Sequence, residues 1–250
     1  MFVSAVRKQV DGSLDEVRNH PLVASAAAGT LPRDAAHRWV FCAGRESRSF
    51  PWILRELLAW TDDDKVRRIL QENLDDELGS GDPRHAHFLH YLHLLDGLGV
   101  AREEFDTYAE RAGISLALSL AFNVAKSRST GRAIGYMLVN EAMTPVTYNA
   151  ARQALTRHHP ELRTDFFDLH IEVDDQHVAA LYEAVEALPD DEERELRFGI
   201  ALGRRGMEIL LDEAYGVFDA HVEPLRITDE RWNPLNGLPS GAPDGEQAEE

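Results

Sequence analysis

The run Asp165-Phe-Phe-Asp-Leu-His-Ile-Glu-Val-Asp-Asp-Gln-His177 places polar residues where a helix would point its apolar ones. Read as a helix, at ~100° per residue, it carries His170, Asp174 and His177 on one face. Phe166, Val173 and Leu181 share that stripe, so two imidazoles and a carboxylate are aimed inward. Buried polar groups are costly unless something satisfies them, and a metal ion does so directly. The alternative is a pair of partly exposed histidines beside a solvated aspartate. The rest of the chain decides between the two by supplying more inward carboxylates and another histidine.

Helical periodicity recurs nearly everywhere in the 250 residues, and no convincing alternating strand is found. The chain therefore reads as a single all-α domain over residues 1–224, followed by a Pro/Gly/Glu-rich tail at 225–250 that is ordered only if docked. Asn19-His20-Pro21-Leu22 opens one helix, and Gly29 to Asp34 opens a longer one reaching about Trp60. Thr61-Asp62-Asp63 caps a third, which ends at Glu77-Leu78. Gly79-Ser-Gly-Asp-Pro83 breaks the chain, with Asp82 expected as N-cap and Pro83 at the first position of the next helix. That helix stops at Gly99. Shorter helices are expected at 102–111 and 114–126, and long ones from Gly131 to His158, from the opening run to about Pro189, and from Asp191 to His221.

Three of these helices add chemistry. In 63–78 the apolar stripe is Val66, Ile69, Leu70 and Leu74, and Glu77 continues it, whereas Asp75 and Asp76 fall off it and read as solvated. Of His85, His87, His90 and His93, His87 faces inward best, because Tyr91, Leu94 and Leu98 follow at helical spacing. On one straight helix Glu77 and His87 would be rotated by about 280° from each other, so the Gly79–Pro83 break is needed to aim them together. In 131–158 Glu141 interrupts the stripe Ile134, Leu138, Pro145, and Pro145 cannot donate to the Glu141 carbonyl. The set is thus Glu77, Glu141 and Asp174 with His87, His170 and His177. Oxygen and nitrogen donors without thiolate suit iron or manganese. The usual Glu-x-x-His pair of four-helix dimetal proteins is absent.

Composition narrows the function. Lys and Arg total 26 against 44 Asp and Glu, a net charge of −18, which argues against nucleic acid or an anionic membrane as partner. A single cysteine, Cys42, precludes an internal disulfide and fits a reducing cytoplasm. The first residues carry charges at 7, 8 and 11 and no secretory apolar run, and the longest apolar stretch, 114–125, is too short to span a bilayer. A soluble cytoplasmic protein acting on a small molecule is expected.

The spacing Glu77-x9-His87, Glu141 some sixty residues on, and His170-x3-Asp174-x2-His177 resembles the haem-oxygenase-like diiron oxidases and oxygenases, a family of iron-containing redox enzymes. Glu72-Asn-Leu-Asp-Asp-Glu-Leu-Gly-Ser-Gly-Asp-Pro83 is similar to the family's second-helix signature, and His20-Pro-Leu with Gly29-Thr-Leu-Pro32 to the wider superfamily of thiaminase II and cofactorless quinone-forming oxidases. The resemblance implies a bundle of seven or eight helices, often a homodimer. It also implies two Fe(II) per chain on the six named ligands, O2 as co-substrate activated through a peroxo-diiron(III) species, and a reductase or small reductant. Thiaminase chemistry is disfavoured, because Ala43 stands where thiaminase has its substrate-gripping aspartate. N-oxygenating members add a carboxylate from the first core helix, for which Glu46 is the candidate; the alternative is a surface acid paired with Arg45 or Arg48. The preferred reaction is N-oxygenation of a small amine or amino-acid-derived substrate. Oxidative C–C fragmentation or decarboxylation of an amino acid or fatty acid at the same site is the runner-up. A metal-free binding module of the superfamily and a metal-storage protein using His85–His93 are alternatives of other classes. Tyr91, Tyr136, Tyr148, the Arg45–Phe50 segment and the Lys126–Arg128 segment are candidate pocket walls.

Overall fold

The computed structural model describes residues 2–108 and 111–218, apart from the side chains of 172–175. Among them are ten α-helices and no strand: α1 Phe2–Arg18, α2 Pro21–Ala27, α3 Arg33–Leu58, α4 Asp64–Glu77, α5 His87–Leu98, α6 Arg102–Thr107, α7 Ala112–Ala125, α8 Thr130–His158, α9 Asp165–Ala187 and α10 Glu193–Tyr215. Single 3-10 turns sit at Pro83–His85 and Asp190–Glu192. Since α2 and α6 are of seven and six residues, eight longer helices carry the bundle. The all-α expectation holds. Helix α1 was not foreseen, although Val6, Val10, Ser13 and Val17 are the buried residues of its inner face at helical spacing.

Helix α8 is the centre because its sequence has no polar side. Residues 133 to 139 are buried without interruption, so neighbours must cover every face of that stretch. It packs against α1, α2, α3, α9 and α10. The crossing with α10 brings backbones together: a Cβ on Gly135 would lie 2.0 Å from the Leu196 carbonyl oxygen, and one on Gly199 2.1 Å from that of Arg132. Only glycine fits there.

Local signals set the ends. Asp63 Oδ1 accepts the Val66 amide at 2.9 Å and starts α4. Asp82 accepts the Arg84 amide at 3.0 Å, but what it caps is the turn Pro83–His85, and α5 begins afresh at His87. Gly79, Ser80 and Gly81 all have positive φ. A Cβ at Gly79 would sit 2.3 Å from the Asp82 carbonyl oxygen, so this reversal requires the glycine. At the other end of the molecule, α10 supplies the fully buried Glu213. Its two oxygens accept the Arg111 and Ile114 amides at 3.0 and 2.7 Å, anchoring the start of α7. Segment 225–250 lies outside the described residues.

The glycine crossing gives a stability test. Gly135→Ala or Gly199→Ala forces backbone apart and should cost about 2–4 kcal/mol in denaturant melts. Gly12→Ala on α1, whose Cβ meets nothing within 4 Å, should instead gain roughly 0.5–1 kcal/mol.

Candidate metal centre

Four helices converge on a cavity of about 60 Å³ lined by Glu46, Glu77, His87, Tyr136, Asn140, Glu141, Tyr148, His170 and His177. Glu77 is the last residue of α4, His87 the first of α5, Glu141 comes from α8 and the other two histidines from α9.

The reversal at Gly79 does what the straight-helix rotation forbids. It brings His87 Nδ1 to 3.1 Å from Glu77 Oε1, with both side chains buried. His170 Nε2 lies 3.9 Å from the same oxygen, and the His87 and His170 rings meet edge-on at 4.6 Å. His170 Nδ1 donates to the Phe166 carbonyl at 2.7 Å. That bond fixes the tautomer and leaves Nε2 bare towards the cavity. Glu77, His87 and His170 each offer a ligand atom within 4.8 Å of the others and could hold a metal ion.

A second cluster adjoins the first. His177 Nδ1 is 3.5 Å from Glu141 Oε2, and its Nε2 is 3.1 Å from Asp76 Oδ2. Asn73, one helical turn before Glu77 and 2% exposed, donates to Glu141 Oε1 at 2.7 Å. Asp76 is a correction: α9 passes beside the last turn of α4, so an acid off the apolar stripe finds an imidazole instead of water alone. Asn73 was missed, although it lies three residues after Leu70 on that stripe, where a buried amide signals a partner. The side chain of Asp174 lies outside the described residues.

Charges in this space follow from burial and proximity. Burial alone would raise Glu77, but the His87 and His170 imidazoles hold it below the usual carboxylate range. Burial opposes protonation of His87, yet Glu77 outweighs it and raises the imidazole. Burial likewise opposes a charge on His177, and its bonds to Glu141 and Asp76 lift it to about 9. For His170 burial wins and the ring is held neutral. At His87 and His177, then, a histidine beside a buried carboxylate is favoured in its charged form. Divalent ions would fit the same place: the donors are buried, converge from four helices and already surround positive charge.

Glu46 of α3 also lines the cavity. Burial, with the Glu141 charge, pushes its carboxyl up to about 7. Arg45 instead donates to the Phe105 and Tyr108 carbonyls, and Arg48 pairs with Asp106. Of the other candidate walls, Tyr136, Tyr148, Ser47 and Phe50 line the cavity. Tyr91 does not: its hydroxyl donates to the Val40 carbonyl and its ring packs on Phe88, Phe105 and Phe166. Lys126–Arg128 is also absent from the lining. His85 and His93 are exposed, and His90 is half-buried.

Residues 42–206 match the family of iron-containing redox enzymes with the haem-oxygenase-like fold, and the chain belongs to that family. No curated protein sequence matches it. Solved structures share the fold. A CADD-like protein of unknown function from Nostoc punctiforme is 18% identical, with a TM-score of 0.69 over 86% of this chain and 98% of that one. A domain of unknown function with a heme oxygenase-like fold from Shewanella denitrificans is 13% identical, with a TM-score of 0.70 over 85% and 91%. A TenA homolog from Pseudomonas syringae pv. tomato is 14% identical, with a TM-score of 0.65 over 86% and 92%. Among the described residues no helix is long and apolar enough to cross a membrane.

The raised Glu46 carboxyl makes stability depend on pH. Its folded value lies near 7 against 4.5 for an ordinary glutamate, so its contribution is fully present below about pH 4.5 and lost as pH rises through 7. In chelator-treated protein, Glu46→Gln should melt increasingly above wild type between pH 5 and 8. The difference should grow by at most about 3 kcal/mol, and parallel pH profiles would place Glu46 in water.

Proposed function

We propose that this chain is a non-haem diiron oxygenase that N-oxygenates a small amine or amino-acid-derived substrate. The observation that supports it best is the convergence of Glu77, Glu141, His87, His170 and His177 on one cavity that also presents Glu46. Glu77, His87 and His170 would hold one iron; Glu141, His177 and Asp174 would hold the other. Iron held there would supply two electrons to O2, which with two from the amine nitrogen and two protons would place one oxygen atom on nitrogen and release the other as water; a reductase or small reductant would restore the two electrons to the iron.

The protein's own residues do the rest. His170 is kept in one tautomer by the Phe166 carbonyl, and His177 is steered by Asp76, which fixes which ring nitrogen faces the cavity. Asn73 holds one oxygen of Glu141 and so limits its rotation. An amine arrives protonated, and a protonated nitrogen has no lone pair to attack an oxidant. Glu46, with a value close to neutral, accepts that proton on its carboxylate as the amine settles beside it. Phe50, Ile53, Leu118, Met207 and Leu210 exclude water from the same space.

Anaerobic loading with ferrous iron tests the site. About two irons per chain are expected for the wild type, with His170→Ala losing at least one and His85→Ala and His93→Ala losing none; equal loss from all three would sink the ligand set. Because protons on the imidazoles, above all His177 with its value of about 9, must leave first, the apparent affinity should rise by about one power of ten per pH unit between 6 and 8. A flat profile means that metal does not displace those protons. Glu46→Gln should keep most of its iron and lose hydroxylamine product, measured by mass spectrometry. An alkene with carbon dioxide, or formaldehyde, as product would replace N-oxygenation with oxidative fragmentation.

A further inference from the structure

Part of the cavity wall is built only from small and apolar residues. There Ala117 and Ala121 of α7 face Gly206, Met207 and Leu210 of α10, with Ile53 and Phe50 of α3 closing the side. The glycines of α10 are not alike. Gly199 and Gly203 are demanded by packing, since a Cβ there would lie 2.1 Å from the Arg132 carbonyl oxygen and 2.4 Å from Val139 Cγ1. A Cβ on Gly206 would meet only Leu120 Cδ2, at 3.9 Å. Packing between helices gives no reason for glycine at 206, and what it leaves open is the cavity. Ser47, one residue from Glu46, adds an independent sign: its residue is 5% exposed, it lines the cavity, and its hydroxyl has no hydrogen-bond partner among the described residues. Buried hydroxyls are nearly always satisfied, so this one is waiting for a ligand atom.

We infer that the part of the cavity between α7 and α10 is a subsite for the apolar substituent of a small aliphatic amine, with Gly206 setting how large that substituent can be and Ser47 bonding the amine nitrogen beside Glu46. The inference rests on the reading of the cavity as an amine oxygenase site. Among the polar groups of the lining, Glu46, Ser47, Asn140 and Thr144 are acidic or neutral and suit a cation or an N–H donor. The wall from α7 and α10 is hydrocarbon. The cavity of about 60 Å³, against roughly 10–15 Å³ for one water, also holds the space between the metal-ligand candidates and so leaves room for only a short substituent. An unbranched amine the size of butylamine meets all three conditions, whereas a fatty acid of the same length would put its carboxylate against Glu46.

Isothermal titration of n-butylamine and of butyrate, into chelator-treated and ferrous-loaded protein under argon, tests this directly. Butylamine should bind and butyrate should bind at least tenfold more weakly. Gly206→Leu should weaken butylamine at least tenfold with iron content unchanged, and Ser47→Ala should weaken it severalfold. Gly206→Ala guards against a folding artefact: it should melt at or above the wild-type temperature and still bind butylamine less tightly. Butyrate binding as well as butylamine, or full butylamine affinity in both Gly206 variants, overturns the subsite. Butylamine binding with no iron uptake supports the subsite and overturns the diiron reading instead. Iron uptake without butylamine binding does the reverse.

Discussion

Everything at the heart of this protein follows from burying carboxylates where a helical bundle would ordinarily place leucine. Glu77 and Glu141 are 7% and 6% exposed, and an isolated carboxylate at such a position would be neutralised or expelled. The structure answers by bringing three imidazoles and the Asn73 amide to them. That requirement dictates the local geometry. The chain turns back on itself at Gly79 so that the first residue of α5 reaches the last of α4, and α9 runs alongside so that His170 and His177 meet both acids. The neighbouring carboxylates favour the charged form of His87 and His177. A site built this way can exchange protons for cations with little rearrangement, because the positive charge stays where it was.

The fold was legible because its signals were local and repeated. Helical stripes, the Asp63 cap and the Gly99 stop each depend on a few neighbouring residues. Helix α1 escaped because its inner face is only three valines and a serine, weak in hydrophobicity though regular in spacing. The inward histidines and carboxylates were readable for the same reason as the helices: each sits on an apolar stripe where solvation cannot explain it. What could not be read was who meets whom across helices. Asp76 lies off its stripe, and only the path of α9 gives it His177. Nothing in the local sequence of Glu213 shows that it caps α7, a hundred residues earlier. The hydroxyl of Tyr91 is likewise satisfied by Val40, far away in the chain, which removed it from the cavity it was expected to line.

The same limit applies to Pro145. Its lack of an N–H leaves the Glu141 carbonyl without an α-helical partner, yet α8 runs unbroken from Thr130 to His158. A helix surrounded on so many sides is held in shape by its neighbours, and the missing bond does not end it.

The division of the cavity between two sets of helices has a consequence for how such a protein can change over time. The imidazoles and the acids beside them come from α4, α5, α8 and α9, Glu46 comes from α3, and α7 and α10 contribute only uncharged wall residues. Part of the cavity's shape is therefore inherited on pieces of the chain that hold none of its charge. Alterations at positions such as 117, 121 or 206 can reshape what the cavity admits without touching the charge balance that keeps the bundle folded. An ancestor of this architecture could thus have explored new small molecules by drift in two wall helices. The costly constellation of buried carboxylates and histidines would then have had to arise only once.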